Sequence, residues 1–134
     1  MAPTRSETRP IVAKGDVVLV RQAVRTWSVE MGFGLVEQTK MITAASELAR
    51  NTLVYGGGGE VRLDALQEGA RRGLRLTFRD RGPGIADIEL ALRDGYTSGN
   101  GLGLGLGGAR RLVNEFEIDS RVGEGTSVTI TRWK

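Results

Sequence analysis

The segment SGNGLGLGLGG, residues 98–108, is the most unusual stretch of this chain, because six of its eleven positions are Gly and three are Leu. A Gly inside a helix or strand costs roughly 0.5–1 kcal/mol relative to Ala, so regular structure does not explain the segment. Bare backbone that can approach a ligand closely is the functional interpretation, and a flexible loop is the structural one. The segment alone does not decide between them.

Known phosphate-binding patterns fit this segment only in part. A P-loop needs Lys and then Ser or Thr after its last Gly, but Ala109 stands there. Gly103, Gly105 and Gly108 do fit the pattern G-x-G-x-x-G. A dinucleotide-binding motif, however, follows a strand early in a βαβ unit, whereas this one follows the turn-like DGYTSGN late in the chain. Eukaryotic-type protein kinases are excluded as well, because they need an H-R-D loop and the chain has no His.

The composition excludes several classes of function. The chain has no Cys and no His, which removes thiol nucleophiles, disulfides and the commonest acid–base group. With a net charge of +3 and only 5% aromatic residues, we expect no nucleic-acid partner. The longest aliphatic run, VVLV, is too short to cross a membrane, and the first ten residues lack the apolar region of a secretion signal. We therefore expect a cytoplasmic protein without a membrane segment.

The length of 134 residues predicts one domain. Residues 1–9 are polar, and we expect them to form a flexible tail. The domain itself is predicted over residues 10–134. It would begin with a short edge strand, PIVA, at residues 10–13.

Hydrophobic periodicity predicts two long helices near the start of the domain. The first would begin with Asp16 as its N-cap and end at Gly32 and Gly34. The second would run from about Leu35 to Tyr55, where a run of four glycines stops it.

Alternating apolar residues predict an antiparallel hairpin formed by residues 60–66 and 74–80. The further predicted elements are a short helix over 86–95, a helix over 109–116 and, after the segment EIDSR and the turn VGEGT, a strand over 127–133. Helices packed on one face of a mixed, mostly antiparallel sheet give an α+β two-layer sandwich.

Two polar residues of the second helix form a candidate catalytic pair. Glu47 and Asn51 are one turn apart and therefore share a helix face. The carboxylate could activate a nucleophile. The amide oxygen could bind Mg²⁺, which prefers oxygen ligands and keeps water and phosphate oxygens around it. The alternative is an ordinary solvated helix face.

Two further residues are candidates for binding a nucleotide base. Asp80 ends a predicted strand directly before RGPG, where it could accept a hydrogen bond from an exocyclic amine such as adenine N6. Gly82 and Gly84 would let a flat ring approach the backbone. Thr126, in GEGT, could place its hydroxyl near the base. The alternatives are an Asp that initiates a turn and a plain hairpin turn.

The order of these motifs is more specific than any one of them. SELARN, DRGPGI, GNGLGLGLGG and GEGT follow one another along the chain. This succession resembles the N, G1, G2 and G3 boxes of the GHKL (Bergerat-fold) ATPases and kinases, a family that includes histidine kinases, gyrase, Hsp90, MutL and bacterial anti-sigma serine kinases. The likeness extends from about residue 10 to the end, and it implies the Bergerat ATP-binding fold.

The resemblance implies a role for each matching position, with ATP and Mg²⁺ as cofactors. Glu47 would be the general base, Asn51 the Mg²⁺ ligand and Asp80 the acceptor for the adenine amine. Residues 99–105 would form a lid over the phosphates. The other implied ATP-binding residues are Arg50, Gly82, Gly84, Gly99, Gly101, Leu102, Gly103, Leu104, Gly105 and Thr126.

Within the family, the chain is most similar to the stand-alone serine/threonine switch kinases of bacterial partner switching. The absence of His excludes autophosphorylation on His. This branch implies phosphorylation of a STAS-domain antagonist, activation of a PP2C-type phosphatase by the released kinase, and membership of a large stressosome-like assembly. Two alternatives stay open: an anti-sigma factor kinase that sequesters a sigma factor, and a non-catalytic ATP-gated binding module. One departure from the family pattern is Gly107–Gly108, where a Pro is expected.

Overall fold

The computed structural model of the protein describes residues 2–93 and 105–134. In these ranges the elements are, in chain order, β1 (Arg5–Ile11), α1 (Lys14–Glu30), α2 (Leu35–Val54), β2 (Gly59–Glu68), β3 (Arg71–Asp80), α3 (Ile88–Ala91), α4 (Leu106–Arg111), β4 (Glu115–Arg121) and β5 (Gly125–Trp133). No helix in the described part of the chain is both long and apolar enough to span a membrane.

The five strands form one sheet in the order β1-β2-β3-β5-β4. Helix α1 packs against β1 and α2, and α2 packs against β1, β2, β3 and α4. The predicted α+β two-layer sandwich is therefore confirmed. Its described strands pair only in the antiparallel sense, so the sheet is not mixed in these ranges.

The core lies between the helices and one face of the sheet. Strands β2 and β3 alternate as predicted, and their inward side chains are buried. Trp27 of α1 is only 2% exposed on the helix side of the core, and Phe78 of β3 is equally buried on the sheet side. The other large, fully buried side chains are Ile11, Val20, Val24, Met41, Leu48, Val61, Leu63, Leu74, Leu76 and Ile130.

The start of α1 differs from the prediction. Its N-cap is Ala13 rather than Asp16, which lies in the first turn. The Asp16 carboxylate accepts hydrogen bonds from the backbone N–H groups of Val12, at 2.9 Å, and Ala13, at 3.0 Å. An acidic side chain at the third helical position can reach back to the N-cap in this way, so it stabilises the helix end from inside. At the other end, Gly32 follows the C-cap with a φ of 80°.

The predicted tail and first strand are also corrected. Residues Arg5–Arg9, which we expected in a flexible tail over residues 1–9, belong to β1, and that strand ends at Ile11 rather than 13. Its polar composition is explained by its position at the sheet edge, where one side of the strand faces solvent.

The helix expected over 109–116 lies earlier in the chain, at Leu106–Arg111. Phe116 belongs to β4, where it is in register with Ile130 of β5. A short apolar pattern fits either a helix or a strand, and here pairing with β5 decides for the strand. The helix expected over 86–95 is observed over Ile88–Ala91.

The opposite face of the sheet carries a buried carboxylate, Asp64, which is 1% exposed. It accepts hydrogen bonds from Ser6 at 2.6 Å, Arg62 at 2.9 Å and Arg75 at 3.1 Å. Burial alone would raise the pKa of Asp64, but these hydrogen bonds and the charge of Arg62 outweigh it and hold the pKa below the ordinary value. This cluster therefore joins β1, β2 and β3 by side chains as well as by backbone.

Candidate active site

On three neighbouring strands, the series of inward-facing apolar side chains ends in a polar residue at the same edge of the core. On β3, Phe78 is followed two residues later by Asp80, and the same change from apolar to polar occurs at Thr126 on β5 and Ser120 on β4. Asp80 is in register with Thr126, and Thr126 is in register with Ser120. Because side chains opposite each other share a sheet face, the three form one polar row that faces the helix layer.

Asp80 and Thr126 line a closed pocket together with Asn51 of α2. The remaining walls are mostly apolar or aromatic: Leu48, Thr52, Tyr55, Phe78, Ile85, Leu106 and Val128. Its volume is about 20 Å³, which is room for about one water molecule. The walls must therefore separate before a flat ring can enter.

The carboxylate of Asp80 is partly satisfied by backbone. The N–H of Gly82 donates to its Oδ1 at 2.9 Å, and the backbone N–H of Thr126 also donates to it. Burial raises the pKa of Asp80 above its ordinary value, and the two backbone hydrogen bonds oppose that rise. In its ionised form, Asp80 can only accept hydrogen bonds, which suits an amine partner.

Glycines bring the backbone close to Asp80. A Cβ at Gly56 would collide with the Asp80 carboxylate, and one at Gly82 would come within 2.7 Å of the Gly56 backbone. Gly84 has a φ of 76° and lies against the carbonyl of Arg121. The sequence predicted Gly82 and Gly84 as pocket residues, but neither is among the residues that line the closed pocket. Gly56 was expected only to stop a helix, and its contact with Asp80 depends on tertiary structure.

Two further residues support the pocket and were not predicted. Ser120 accepts a hydrogen bond from the N–H of Ile85 at 2.7 Å, and its Oγ lies 2.7 Å from Thr126 Oγ1. The hydroxyl of Tyr55 donates to the carbonyl of Gly84 at 3.0 Å. The alternation Phe116, Ile118, Ser120 could have revealed the Ser, because a polar residue there continues an inward-facing series.

Glu47 and Asn51 project from α2 as the spacing predicts. Asn51 lines the pocket, and Glu47 lies against Gly105, the residue that precedes α4. A Cβ at Gly105 would collide with Glu47 Oε2. The candidate base therefore contacts the residue that directly precedes α4.

The protein oxygen available at the pocket suits a cation that takes most of its ligands from phosphate and water. In the described ranges no three His, Cys, Asp or Glu residues cluster as a metal site. Mg²⁺ needs no such cluster, because it usually takes one or two protein oxygens besides phosphate and water. The amide oxygen of Asn51 fits that requirement.

Some predicted residues are not brought to the pocket. Arg50 is exposed on α2 and is not among the residues that line the pocket. Gly99, Gly101, Leu102, Gly103 and Leu104 lie outside the described residues. Of the predicted lid, Gly105 alone falls within them.

A wider depression of about 580 Å³ lies beside the pocket at the same end of the sheet. Its charged lining consists of three basic and four acidic side chains: Arg79, Arg81, Arg121, Glu60, Asp80, Asp119 and Glu124. The depression shares Asp80 and Thr126 with the closed pocket. The closed pocket adds Asn51 and apolar walls, so it is the better candidate site for a base.

Comparison with known proteins agrees with this geometry. The sequence profile of the histidine kinase-, DNA gyrase B- and HSP90-like ATPases matches residues 36–134. The chain belongs to this ATPase family. The stretch matched includes the candidate base, the Asn one turn later, and both base-pocket residues on β3 and β5.

Individual relatives indicate which members of this ATPase family the chain resembles. The chain is 41% identical over 123 residues to the serine/threonine-protein kinase RsbT of Bacillus subtilis, with 92% of each chain covered. It is 29% identical to an anti-sigma F factor of Anoxybacillus flavithermus, covering 84% of this chain and 80% of the relative. The prediction that the chain is a protein kinase of this family is therefore confirmed.

Solved structures confirm the fold. The RsbU and RsbW domains of a Mycobacterium tuberculosis protein match with a TM-score of 0.66 and 24% identity, covering 98% of this chain and 33% of that one. The mycobacterial sensor histidine kinase MprB matches with a TM-score of 0.55 and 18% identity, covering 96% and 97%.

Proposed function

We propose that this protein is an ATP-dependent kinase that phosphorylates a Ser or Thr of a STAS-domain antagonist protein. The observation that carries the proposal is the convergence of Asn51, Asp80 and Thr126 on one pocket, with Glu47 one turn away on the same helix. The similarity to RsbT supports the same function.

ATP would bind with its base in the closed pocket. Asp80 would accept a hydrogen bond from the adenine amine, and Thr126 would lie beside the same edge of the ring. The apolar walls, including Leu48, Ile85 and Leu106, would cover the ring faces.

The phosphates would extend from this pocket toward Glu47. Mg²⁺, held by the Asn51 oxygen and phosphate oxygens, would neutralise charge that develops on the transferring group. We assign the predicted lid, residues 99–105, to the phosphates, because glycine backbone presents N–H groups without steric obstruction.

Glu47 would act as the general base. It would accept the proton of the Ser or Thr hydroxyl as the hydroxyl oxygen bonds to the γ-phosphorus, while the bond to the β-phosphate oxygen breaks and ADP leaves. The phosphate adds about two negative charges to the antagonist and so weakens its complex with the kinase. The released kinase would then activate a PP2C-type phosphatase, and a stressosome-like assembly would hold the unreleased kinase.

The test is phosphate transfer from γ-labelled ATP to a purified STAS-domain protein in the presence of Mg²⁺. We expect acid-stable label on Ser or Thr of that protein. Glu47→Ala should lower the transfer rate by about 100-fold or more and leave ATP binding within about threefold. Glu117→Ala, on the outer face of β4, is the matched control. Full transfer by Glu47→Ala would disprove the role of the base.

A second candidate function is an anti-sigma factor kinase, which the relatives named anti-sigma F factor favour. It predicts a stable complex with a sigma factor. Parallel pull-downs against a sigma factor and a STAS-domain protein distinguish the two functions. ATP binding without transfer to any STAS-domain protein would instead indicate a non-catalytic module.

A further inference from the structure

A groove of about 260 Å³ lies between α1 and α2 on the outer side of the helix layer. Its lining residues are Val18, Arg21, Gln22 and Arg25 of α1 and Ile42 of α2. None of them lines the closed pocket. Although Val18 is apolar, it is 50% exposed. The groove therefore offers apolar side chains that solvent reaches, next to two basic ones.

The groove continues along α1 as an exposed stripe, formed by Val18, Arg21, Arg25 and Val29. These residues recur at intervals of 3 or 4, so they share one face of the helix. Val29 is 56% exposed. At 1.5 Å per residue, the stripe is about 16 Å long, or about three turns. It has a valine at each end and two arginines between them.

The charge of the two arginines is not neutralised by the fold. Among the described residues, neither of them enters an ion pair. The two acidic residues of α1 are engaged elsewhere: Asp16 accepts from backbone N–H groups at the start of the helix, and Glu30 pairs with Arg5 at 2.6 Å. The stripe is therefore complementary to a surface that combines carboxylates with apolar side chains.

The groove and the candidate catalytic pair lie on different sides of α2. Asn51 follows Ile42 by nine residues, which is about two and a half turns at 3.6 residues per turn, so the two point in opposite directions. Glu47 follows Ile42 by about 1.4 turns and also points away from the groove. A helix in the groove would leave the closed pocket and the base uncovered. This position suits a partner that binds the kinase without being phosphorylated.

We propose that the groove and its stripe bind an acidic amphipathic helix of the PP2C-type phosphatase that the released kinase activates. The helix places apolar side chains on Val18 and Val29 and carboxylates against Arg21 and Arg25, as in other helix-in-groove interfaces. The proposal rests on the proposed function, because that function supplies the phosphatase as a partner. It gives this partner a surface separate from the one that serves phosphate transfer.

The test measures the Kd between the kinase and the purified PP2C-type phosphatase by titration calorimetry. Arg21→Glu and Arg25→Glu should each raise the Kd at least tenfold, because each sets one carboxylate against another. Arg21→Lys keeps the charge and should stay within about threefold. Val18→Ser should raise the Kd at least threefold, because it removes an apolar contact.

The matched control is Arg71→Glu, which makes the same change of net charge on the opposite face of the sheet, in β3. It should leave the Kd within about twofold at physiological salt, where charges far from the interface are screened. Circular dichroism and the thermal midpoint show whether each variant is folded.

The same variants are assayed for phosphate transfer and for activation of the phosphatase. Folded Arg21→Glu and Arg25→Glu should keep kcat and KM for transfer to the STAS-domain protein within about twofold. They should need at least tenfold more kinase to activate the phosphatase to half of its maximum. A structural defect would instead lower both activities together.

Failure of this inference is distinct from failure of the proposed function. If the wild-type chain neither transfers phosphate nor activates the phosphatase, the proposed function fails. If it does both, and folded Arg21→Glu and Arg25→Glu bind the phosphatase as wild type does, the groove proposal is overturned. Variants that lose the STAS-domain protein instead of the phosphatase also overturn it. So does a wild-type dimer, seen by size-exclusion chromatography, that the same variants dissociate, because the groove would then hold a second copy of the chain.

Discussion

At the scale of single residues, Asp80 serves the site at the expense of the fold. Its pKa is raised by burial above the ordinary value of 3.8. A carboxyl group whose pKa is higher in the folded than in the unfolded state contributes to stability below pH 3.8, where it is neutral in the folded and unfolded states alike. That contribution is lost as the pH rises through the folded-state pKa. At neutral pH the ionised carboxylate therefore destabilises the folded chain, and in return it offers an acceptor to the base.

This balance predicts opposite effects of Asp80→Asn on stability and binding. The thermal midpoint at pH 7 should rise, and the difference from wild type should shrink as the pH falls toward 3.8. ATP binding should weaken about tenfold or more, because the amide replaces an ionised acceptor. Scanning calorimetry across this pH range and titration with ATP measure the two effects. Asp119→Asn, on the outer face of β4, is the control, and a lower midpoint for Asp80→Asn at pH 7 would contradict the prediction.

At the scale of elements, the start of α4 is fixed against α2 by a glycine. Gly105 has a φ of 63°, and a Cβ there would collide with Glu47. Gly108, one turn later in the same helix, has no atom within 4 Å of the place where a Cβ would stand. The same substitution at the two positions should therefore have opposite results.

Gly105→Ala should lower the phosphate-transfer rate by about tenfold or more, because it both strains the backbone and displaces the carboxylate. Gly108→Ala should raise the free energy of unfolding by up to about 1 kcal/mol, since it adds a better helix former to an open position. Transfer assays and urea unfolding of both variants provide the measurements. Equal transfer rates for the two variants would show that Gly105 does not hold Glu47.

The Asp64 cluster joins three strands, and its removal should loosen that part of the sheet. Asp64→Ala should lower the free energy of unfolding by about 1–3 kcal/mol at pH 7, because it leaves Ser6, Arg62 and Arg75 without their acceptor. The pKa of Asp64 is lowered, so its contribution is present above pH 3.8 and is lost as the pH falls through the folded-state pKa. Urea unfolding at several pH values, with the exposed Glu68→Ala as control, should show this loss on acidification. A deficit that does not shrink in acid would contradict the assignment.

The elements that could be predicted are those whose pattern is long and repeated. Helix α2 and the β2–β3 hairpin were found from periodicity because each buries a full face. The short elements were placed less well: β1 is polar at a sheet edge, and α4 is a six-residue helix made largely of Gly and Arg. Asn51, Asp80 and Thr126 were found through their motifs. Gly56, Tyr55 and Ser120 were missed, because their contacts join segments distant in sequence.

At the scale of the whole molecule, the pocket is closed between the two layers. Ligand binding must therefore be coupled to a movement of lining residues such as Leu106 of α4, which lines the pocket from the helix side. Because only the folded state offers this pocket, ATP should stabilise the fold by about 2.7 kcal/mol at a hundredfold excess over Kd.

This coupling predicts a thermal shift that depends on the metal. Mg-ATP should raise the midpoint by about 5 °C or more, and EDTA should remove most of that increase. Asn51→Ala should show a smaller shift, and EDTA should change it little. Differential scanning fluorimetry with ATP, with and without EDTA, is sufficient. The same shift for wild type in both conditions would exclude Mg²⁺ as part of the bound state.

The polar row of Asp80, Thr126 and Ser120 also governs which changes of chain length the protein tolerates. Side chains alternate between faces, so one residue inserted into β5 between Thr126 and Val128 would turn Thr126 away from the helices. The strand beyond the insertion could keep its pairing and its apolar contacts. Such an insertion would yield a chain that still folds but no longer binds the nucleotide. The ends of these strands are therefore the place where a change of sequence can abolish activity without preventing folding.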